Sequence, residues 1–290
     1  EQQANLVTNH FRKIDDKFLL IVDNLDNPPT STSTVNQLVN GNWIKDSKVS
    51  LLITTRLEER DLKSESFLDS NVISIEKFNR EDAVIFLCRR AQRQIDEIDA
   101  TNLAYELGYL PLALDQVAAL LRGTNVKIKP LIENIKKKKD QFRKKATNPT
   151  SKVHESRLSV RTTWKMNIEA IKQDSPLAEK VMFIFAFLSP GGFPRVLLLN
   201  EGEPKIDDED LLDLFDDEVE LDCIISVLTK MSLFEETADS TIKVHRLVQE
   251  IIKKEVSENP NELQKILLLV QRMLAFALTS SESPDSLKER

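Results

Sequence analysis

The chain is expected to fold as α/β in its first part and mostly α thereafter, and three observations lead there. Two apolar runs, Phe18-Leu19-Leu20-Ile21-Val22 and Val49-Ser50-Leu51-Leu52-Ile53, each stop at polar residues, Asp23 and Thr54-Thr55-Arg56. Runs of this length bounded by turn signals predict buried parallel strands. From Asn79 onward the apolar spacing changes to a helical period. Further on, short strand-like runs are set among helices.

Residues 1–15 predict a helix, with Ala4, Leu6, Val7, Phe11 and Ile14 at near-helical spacing, and 17–23 the first strand. A Pro/Ser/Thr loop follows to Thr34, then a short helix over 35–44 and the second strand over 48–55. Asn71-Val72-Ile73-Ser74-Ile75 predicts a third, more exposed strand by its alternation. Strand, helix and strand in that order favour parallel pairing through right-handed crossovers, the later half of a doubly wound sheet.

Asn79 is placed to cap a helix, with Asp82 in the capping-box position. Helices over 99–107 and 112–121 flank the joint Gly108-Tyr109-Leu110-Pro111, where Gly suits a helix end and Pro a helix start. A Lys-rich helix leads to a polar stretch, 144–156, taken as a linker. Helices over 160–171 and 176–188 break at Ser189-Pro190-Gly191-Gly192, and an acidic helix over 207–215 follows. A helix over 222–231, strands at 233–236 and 242–245, and a helix over 246–256 complete the outline of a winged-helix domain. A last amphipathic helix, 263–278, is expected to start without a partner, as the opening of a helical array. The expected domains are therefore 1–78, 79–150, 151–257 and 258–290.

Composition narrows the function classes. The 290 residues are 41% hydrophobic and 30% charged, with a net charge of −7. An acidic balance opposes a general nucleic-acid surface. Cys88 and Cys223 are too few for a disulfide framework or zinc site and are expected to be core thiols in a reducing cytosol. No apolar stretch reaches bilayer length, so no membrane partner is expected. The opening reads as mid-helix, so the chain is expected to be a piece of a longer protein.

The motifs Phe18-Leu19-Leu20-Ile21-Val22-Asp23-Asn24, Leu52-Ile53-Thr54-Thr55-Arg56, Gly108-Tyr109-Leu110-Pro111-Leu112-Ala113-Leu114 and Val244-His245-Arg246-Leu247-Val248-Gln249 together resemble, in order and spacing, the NB-ARC family of signalling ATPases. That family includes apoptosome and plant disease-resistance proteins and members with tetratricopeptide repeats. The resemblance implies a P-loop NTPase sheet, here its C-terminal half, followed by a helical bundle domain and a winged-helix domain. It implies ADP/ATP with Mg²⁺ as cofactor, self-association on activation, signalling partners in immune or cell-death pathways, and a cytoplasmic location. The phosphate loop is absent from these residues: no Gly is followed by Lys, and the family pattern places that loop before Glu1.

Residue by residue, the resemblance makes Asp23 the Walker B acid that holds Mg²⁺, directly or through water; the bland alternative is a strand-end acid capping a turn. Asn24 stands where many relatives carry a second carboxylate. An amide orients water but takes no proton, so hydrolysis is expected to be slow or absent. Arg56 resembles the sensor arginine that reads the γ-phosphate, with Thr54 and Thr55 assisting, or else forms a surface ion pair. Pro111, with Gly108 and Leu112, resembles the turn that packs by the adenine, or is only a helix joint. His245 resembles the histidine that contacts the ADP β-phosphate, or is a histidine satisfied locally. Arg246 replaces an acidic residue common in the better-known members. The run Lys136-Lys137-Lys138-Lys139 is read as a solvated helix face rather than a lipid or nucleic-acid site. Two competing functions stay open: a non-catalytic scaffold, motivated by Asn24, and a winged-helix DNA-binding regulator.

Overall fold

A computed structural model describes residues 9–10, 13, 16–23, 25, 49–55, 72–144, 152–172, 175–198 and 217–280. The expected helices over 1–15, 35–44 and 207–215 lie wholly or mostly outside these residues. The chain divides into two compact units, residues 1–76 and 77–290. The described residues are mostly helical, with one small parallel and one small antiparallel sheet.

In the first unit β1 (Phe18–Val22) and β2 (Val49–Ile53) pair in parallel, Phe18 opposite Val49 and Val22 opposite Ile53. The expectation of buried strands is corrected: Leu19 and Ile21 are more than half exposed and Leu52 nearly so. A parallel pair is buried on both faces only where layers cover it, and among the described residues none covers this face. The expected third strand is corrected too. Residues 72–79 carry no regular structure, and Ile73 and Ile75 are 84% and 95% exposed. Alternation alone makes no strand; a neighbour must supply the ladder, and none does among the described residues.

The second unit opens with α1 (Arg80–Ala91), whose N-cap Asn79 accepts from the Asp82 amide at 2.7 Å while its own side-chain amide donates to the Asp82 carboxylate at 2.8 Å. α2 (Glu97–Glu106) starts earlier than expected because Asp96 accepts from the Ile98 and Asp99 amides. α3 (Pro111–Gly123) has Pro111 at its first position, where the missing N–H costs nothing. α4 (Ile128–Lys144) buries Leu131, Ile132 and Ile135.

The expected linker is shortened at its end: α5 runs over Lys152–Ile171, so residues 152–156 are helix, while 145–151 lie outside the described residues. Ion pairs from Glu155 to Arg143 and from Arg157 to Glu250 hold this first part of α5 against its neighbours. Trp164 is fully buried at its centre, a burial that stabilises by roughly 3 kcal/mol. α6 (Leu177–Phe187) leads to β3 (Phe193–Pro194), a 3₁₀ turn (Arg195–Leu198) and, after undescribed residues, α7 (Glu218–Lys230), capped by Asp217. β4 (Glu235–Glu236) and β5 (Thr241–Lys243) form an antiparallel hairpin, and β3 joins its other side to give the order β3-β5-β4. Gly192 enters this sheet with φ +117°, and a Cβ there would lie 2.3 Å from the Thr241 methyl, so only glycine fits. α8 (Arg246–Ser257) and α9 (Pro260–Ser280) are the last described elements.

α9 is not partnerless as expected. It packs on α6 and α8 and buries Ile266, Leu269, Val270 and Met273. The thiol expectation is corrected for Cys223, which is exposed, while Cys88 is half-buried and its pKa raised by burial. Among the described residues no helix is long and apolar enough to cross a membrane.

One apolar core extends from Ala83 to Met273. Polar side chains bind backbone carbonyls of its helices, most of them at helix ends. Asn167, fully buried on α5, donates to Gln116 O of α3 and to Met231 O just past α7, both at 2.9 Å. Beside it the Thr163 hydroxyl donates to the Gln116 side-chain oxygen at 2.5 Å. Arg122 reaches Arg90 O of α1 at 3.2 Å and Lys230 O of α7 at 2.9 Å. Gln249 of α8 donates to Phe185 O and Leu188 O at the end of α6, at 2.9 and 3.2 Å.

Asn167→Ala is expected to cost about 2–3 kcal/mol by urea denaturation, since two buried bonds go and carbonyls lose their donor. Asn167→Asp, which removes the donor amide, should be at least as damaging; a loss under about 0.5 kcal/mol in both would show that these bonds do not join the layers.

Candidate functional site

Three groups of sequence-predicted residues fall at element ends. In the first unit the carboxyl ends of β1 and β2 are joined side by side. The Thr54 amide donates to Val22 O at 3.0 Å and the Leu25 amide to Thr54 O at 2.9 Å. The Thr54 hydroxyl donates to the Asp23 carboxylate in a short contact, and the Thr55 hydroxyl donates to Leu25 O at 2.5 Å. Parallel register brings these residues together: Val22 lies opposite Ile53, so Asp23 and Thr54 continue the two strands at the same level. Asp23 and Thr54 are exposed and Thr55 is half-buried. Asn24 and Arg56 lie outside the described residues.

A carboxylate and two hydroxyls form an all-oxygen donor set, which suits Mg²⁺ better than a softer metal. Among the described residues no group of three or more His, Cys, Asp or Glu could hold a metal. An Mg²⁺ at Asp23 would therefore fill its shell largely from water and phosphate oxygens, the usual habit of this ion.

In the second unit, α2 ends in a closed turn. Leu107 is the C-cap, and Gly108 and Tyr109 both adopt left-handed backbone, φ +66° and +56°. The Gly108 amide donates to Tyr105 O at 2.9 Å and the Tyr109 amide to Ala104 O at 3.1 Å, the two bonds of a Schellman motif. The Phe78 amide donates to Tyr109 O at 3.2 Å, and Leu110 O receives the Leu114 amide at 2.9 Å as α3 begins. Pro111 is exposed and Leu112 half-buried. Thus the turn presents the proline ring on a rigid backbone.

The Glu106 carbonyl, next in line at the end of α2, receives the Lys139 ammonium of α4 in a short contact. Lys136 and Lys137 are exposed, in keeping with a solvated face, but Lys139 is only 5% exposed, which corrects that reading for this one member of the run. Its neighbours are engaged as well: Lys138 pairs with Glu169 at 2.8 Å and Lys136 with Glu106 at 3.5 Å. The signal was present in the sequence, because Lys139 continues the stripe Leu131, Ile132, Ile135 by one helical turn.

His245 is the N-cap of α8: its Nδ1 accepts from the Leu247 amide at 3.1 Å. Accepting there requires the neutral ring with its proton on Nε2, so the remaining polar edge is a donor. His245 is exposed as a residue, but packing around its ring desolvates the cation and pushes its pKa down, with the Glu235 and Glu250 carboxylates opposing. Arg246 lies 3.9 Å from Glu250, one turn along α8. Among the described residues no hydrogen bond or ion pair joins His245 to the Gly108–Leu112 turn.

A scan against protein-family models finds no match for this chain, and a search of curated proteins finds none either.

Gly108→Ala is expected to cost about 1 kcal/mol in thermal or urea unfolding, because its Cβ would meet nothing nearer than Ser159 Oγ at 3.9 Å and only the positive φ resists. For His245 the folded pKa is depressed, so the unfolded chain takes up the proton first as pH falls. The cap's stability is then present above the ordinary value of 6.5 and lost as pH drops through the lower folded value. His245→Asn caps at any pH; the stability gap between wild type and this variant should shift against wild type from pH 7 to pH 5, and a pH-independent gap would contradict the neutral cap.

Proposed function

We propose that the chain is the switch module of an NB-ARC signalling protein, in which ADP holds the nucleotide, helical and winged-helix domains shut and ATP releases them for self-assembly. The observation that carries this reading is the acid at the end of one parallel strand bonded to a threonine at the end of the next. Ligands of open α/β sheets bind outside such carboxyl ends. In this reading β1 and β2 belong to the later half of a P-loop NTPase sheet, and the phosphate loop precedes Glu1. Asp23 holds Mg²⁺ with Thr54 orienting its carboxylate. Mg²⁺ would neutralise phosphate charge; this chain's residues orient and read the nucleotide. Arg56, with Thr55 beside it, reads the γ-phosphate; Gly108, Pro111 and Leu112 bear on the adenine.

His245 is suited to reading the ADP phosphate as a neutral Nε2–H donor, a role that needs no positive charge. The antiparallel β3-β5-β4 arrangement followed by α8 supports the winged-helix assignment. Asn24 favours the second reading, a nucleotide-binding scaffold with little turnover, over an efficient ATPase. The DNA-binding alternative gains little from the Lys136–Lys139 run, in which Lys136, Lys138 and Lys139 are engaged by Glu106, Glu169 and a backbone carbonyl. Cytoplasmic location and signalling partners come with the NB-ARC reading.

Calorimetric titration of the chain extended to include the phosphate loop tests it. Arg56→Ala should weaken ATP by about tenfold more than ADP, and His245→Ala should do the reverse, each tenfold being about 1.4 kcal/mol. Equal losses for both nucleotides would remove the switch, since a ligand shifts an equilibrium only through differential affinity. Turnover raised by Asn24→Asp marks a weakened enzyme; turnover absent in both marks a scaffold.

A further inference from the structure

The lysine run looked like solvent-facing charge, but one member lies in the core at the end of the helix that leads into the candidate adenine turn. A helix leaves its last four carbonyls without intrahelical partners. At α2 the accounting is complete: Leu103 O receives the Leu107 amide, Ala104 O the Tyr109 amide and Tyr105 O the Gly108 amide. Glu106 O receives Lys139 Nζ. The first three bonds are made by the turn itself. The fourth comes from α4 and is charged, so it also meets the negative end of the helix dipole.

We propose that Lys139 is a positioning residue for the Gly108–Pro111 turn, clamping it from α4 so that the turn holds one conformation when nucleotide binds. This inference rests on the nucleotide reading above. The geometry favours positioning over simple packing. A methionine would fill the same space, yet burying an ammonium is costly and is repaid only by what the charge holds. Burial pushes the amine's pKa down; Glu106 of α2 and Glu155 of α5 oppose this, while Arg143 of α4 and Lys77 before α1 add to it.

The test compares wild type, Lys139→Met, Lys139→Arg and Lys138→Met by amide hydrogen exchange in this 290-residue chain and by ADP titration in the chain carrying the phosphate loop. Lys139→Met should speed exchange of the Gly108 and Tyr109 amides by about tenfold while the Ile252 amide of α8 is unchanged, a local opening rather than global loss. It should weaken ADP by about fivefold or more. Lys139→Arg, which keeps a charged donor, should restore most of both effects, and Lys138→Met, which removes only the pair with Glu169, should leave both as in wild type.

Exchange that rises equally at Ile252, or does not rise at Gly108 and Tyr109, overturns the clamp. Local opening with wild-type ADP affinity overturns the positioning role while leaving the nucleotide reading intact. Wild type that binds no ADP overturns the nucleotide reading and this role with it, and is told apart by the exchange result.

Discussion

The helical unit depends on satisfying the carbonyl ends of its helices from a distance. Glu106 O, Arg90 O, Lys230 O, Met231 O, Phe185 O and Leu188 O are each met by a side chain from another helix, namely Lys139, Arg122, Asn167 and Gln249. Each neutral bond contributes about 1 kcal/mol net and each charged one about 1.5–3 kcal/mol, while an unmet buried carbonyl costs a comparable amount. Apolar burial supplies most of the stability but is indifferent to register. These donors add direction, so they select which end of which helix meets which neighbour.

The same constraint shapes the candidate site. Left-handed Gly108 and Tyr109 let α2 end and α3 begin with little intervening chain, and Lys139 holds the end from outside. At α8 the reverse problem arises, an N-terminus with unmet amides, and His245 solves it with its ring nitrogen. Capping and nucleotide reading are compatible roles, because a ring that accepts on Nδ1 presents its proton on Nε2.

In the first unit the organising constraint is parallel register. Pairing Val22 with Ile53 leaves the next residues, Asp23 and Thr54, level with each other at the carboxyl end of the ladder. The hydroxyl-to-carboxylate bond then orients an acid that is otherwise exposed.

Much of the local structure was legible in the residues themselves. The strands 18–22 and 49–53, the Asn79 cap, the Gly108–Pro111 joint and the hairpin followed by a helix all follow from short-range rules, because a turn or cap involves residues close in sequence. What could not be read depended on partners far along the chain. The third strand has no neighbour among the described residues, α5 begins at Lys152 inside the polar stretch with Glu155 and Arg157 paired to Arg143 and Glu250, and α9 found its partners in α6 and α8. Lys139 shows the division most plainly. Periodicity put it on the apolar stripe of α4, but whether that meant a misplaced charge or a clamp was decided by where α2 ends in space. Sequence alone determined the caps, the turn and most of the helices and strands, since those depend on local backbone preference and side-chain type. Only the tertiary structure decided which carbonyl each buried donor meets, since hydrogen bonds require partners that only the packed chain brings within reach.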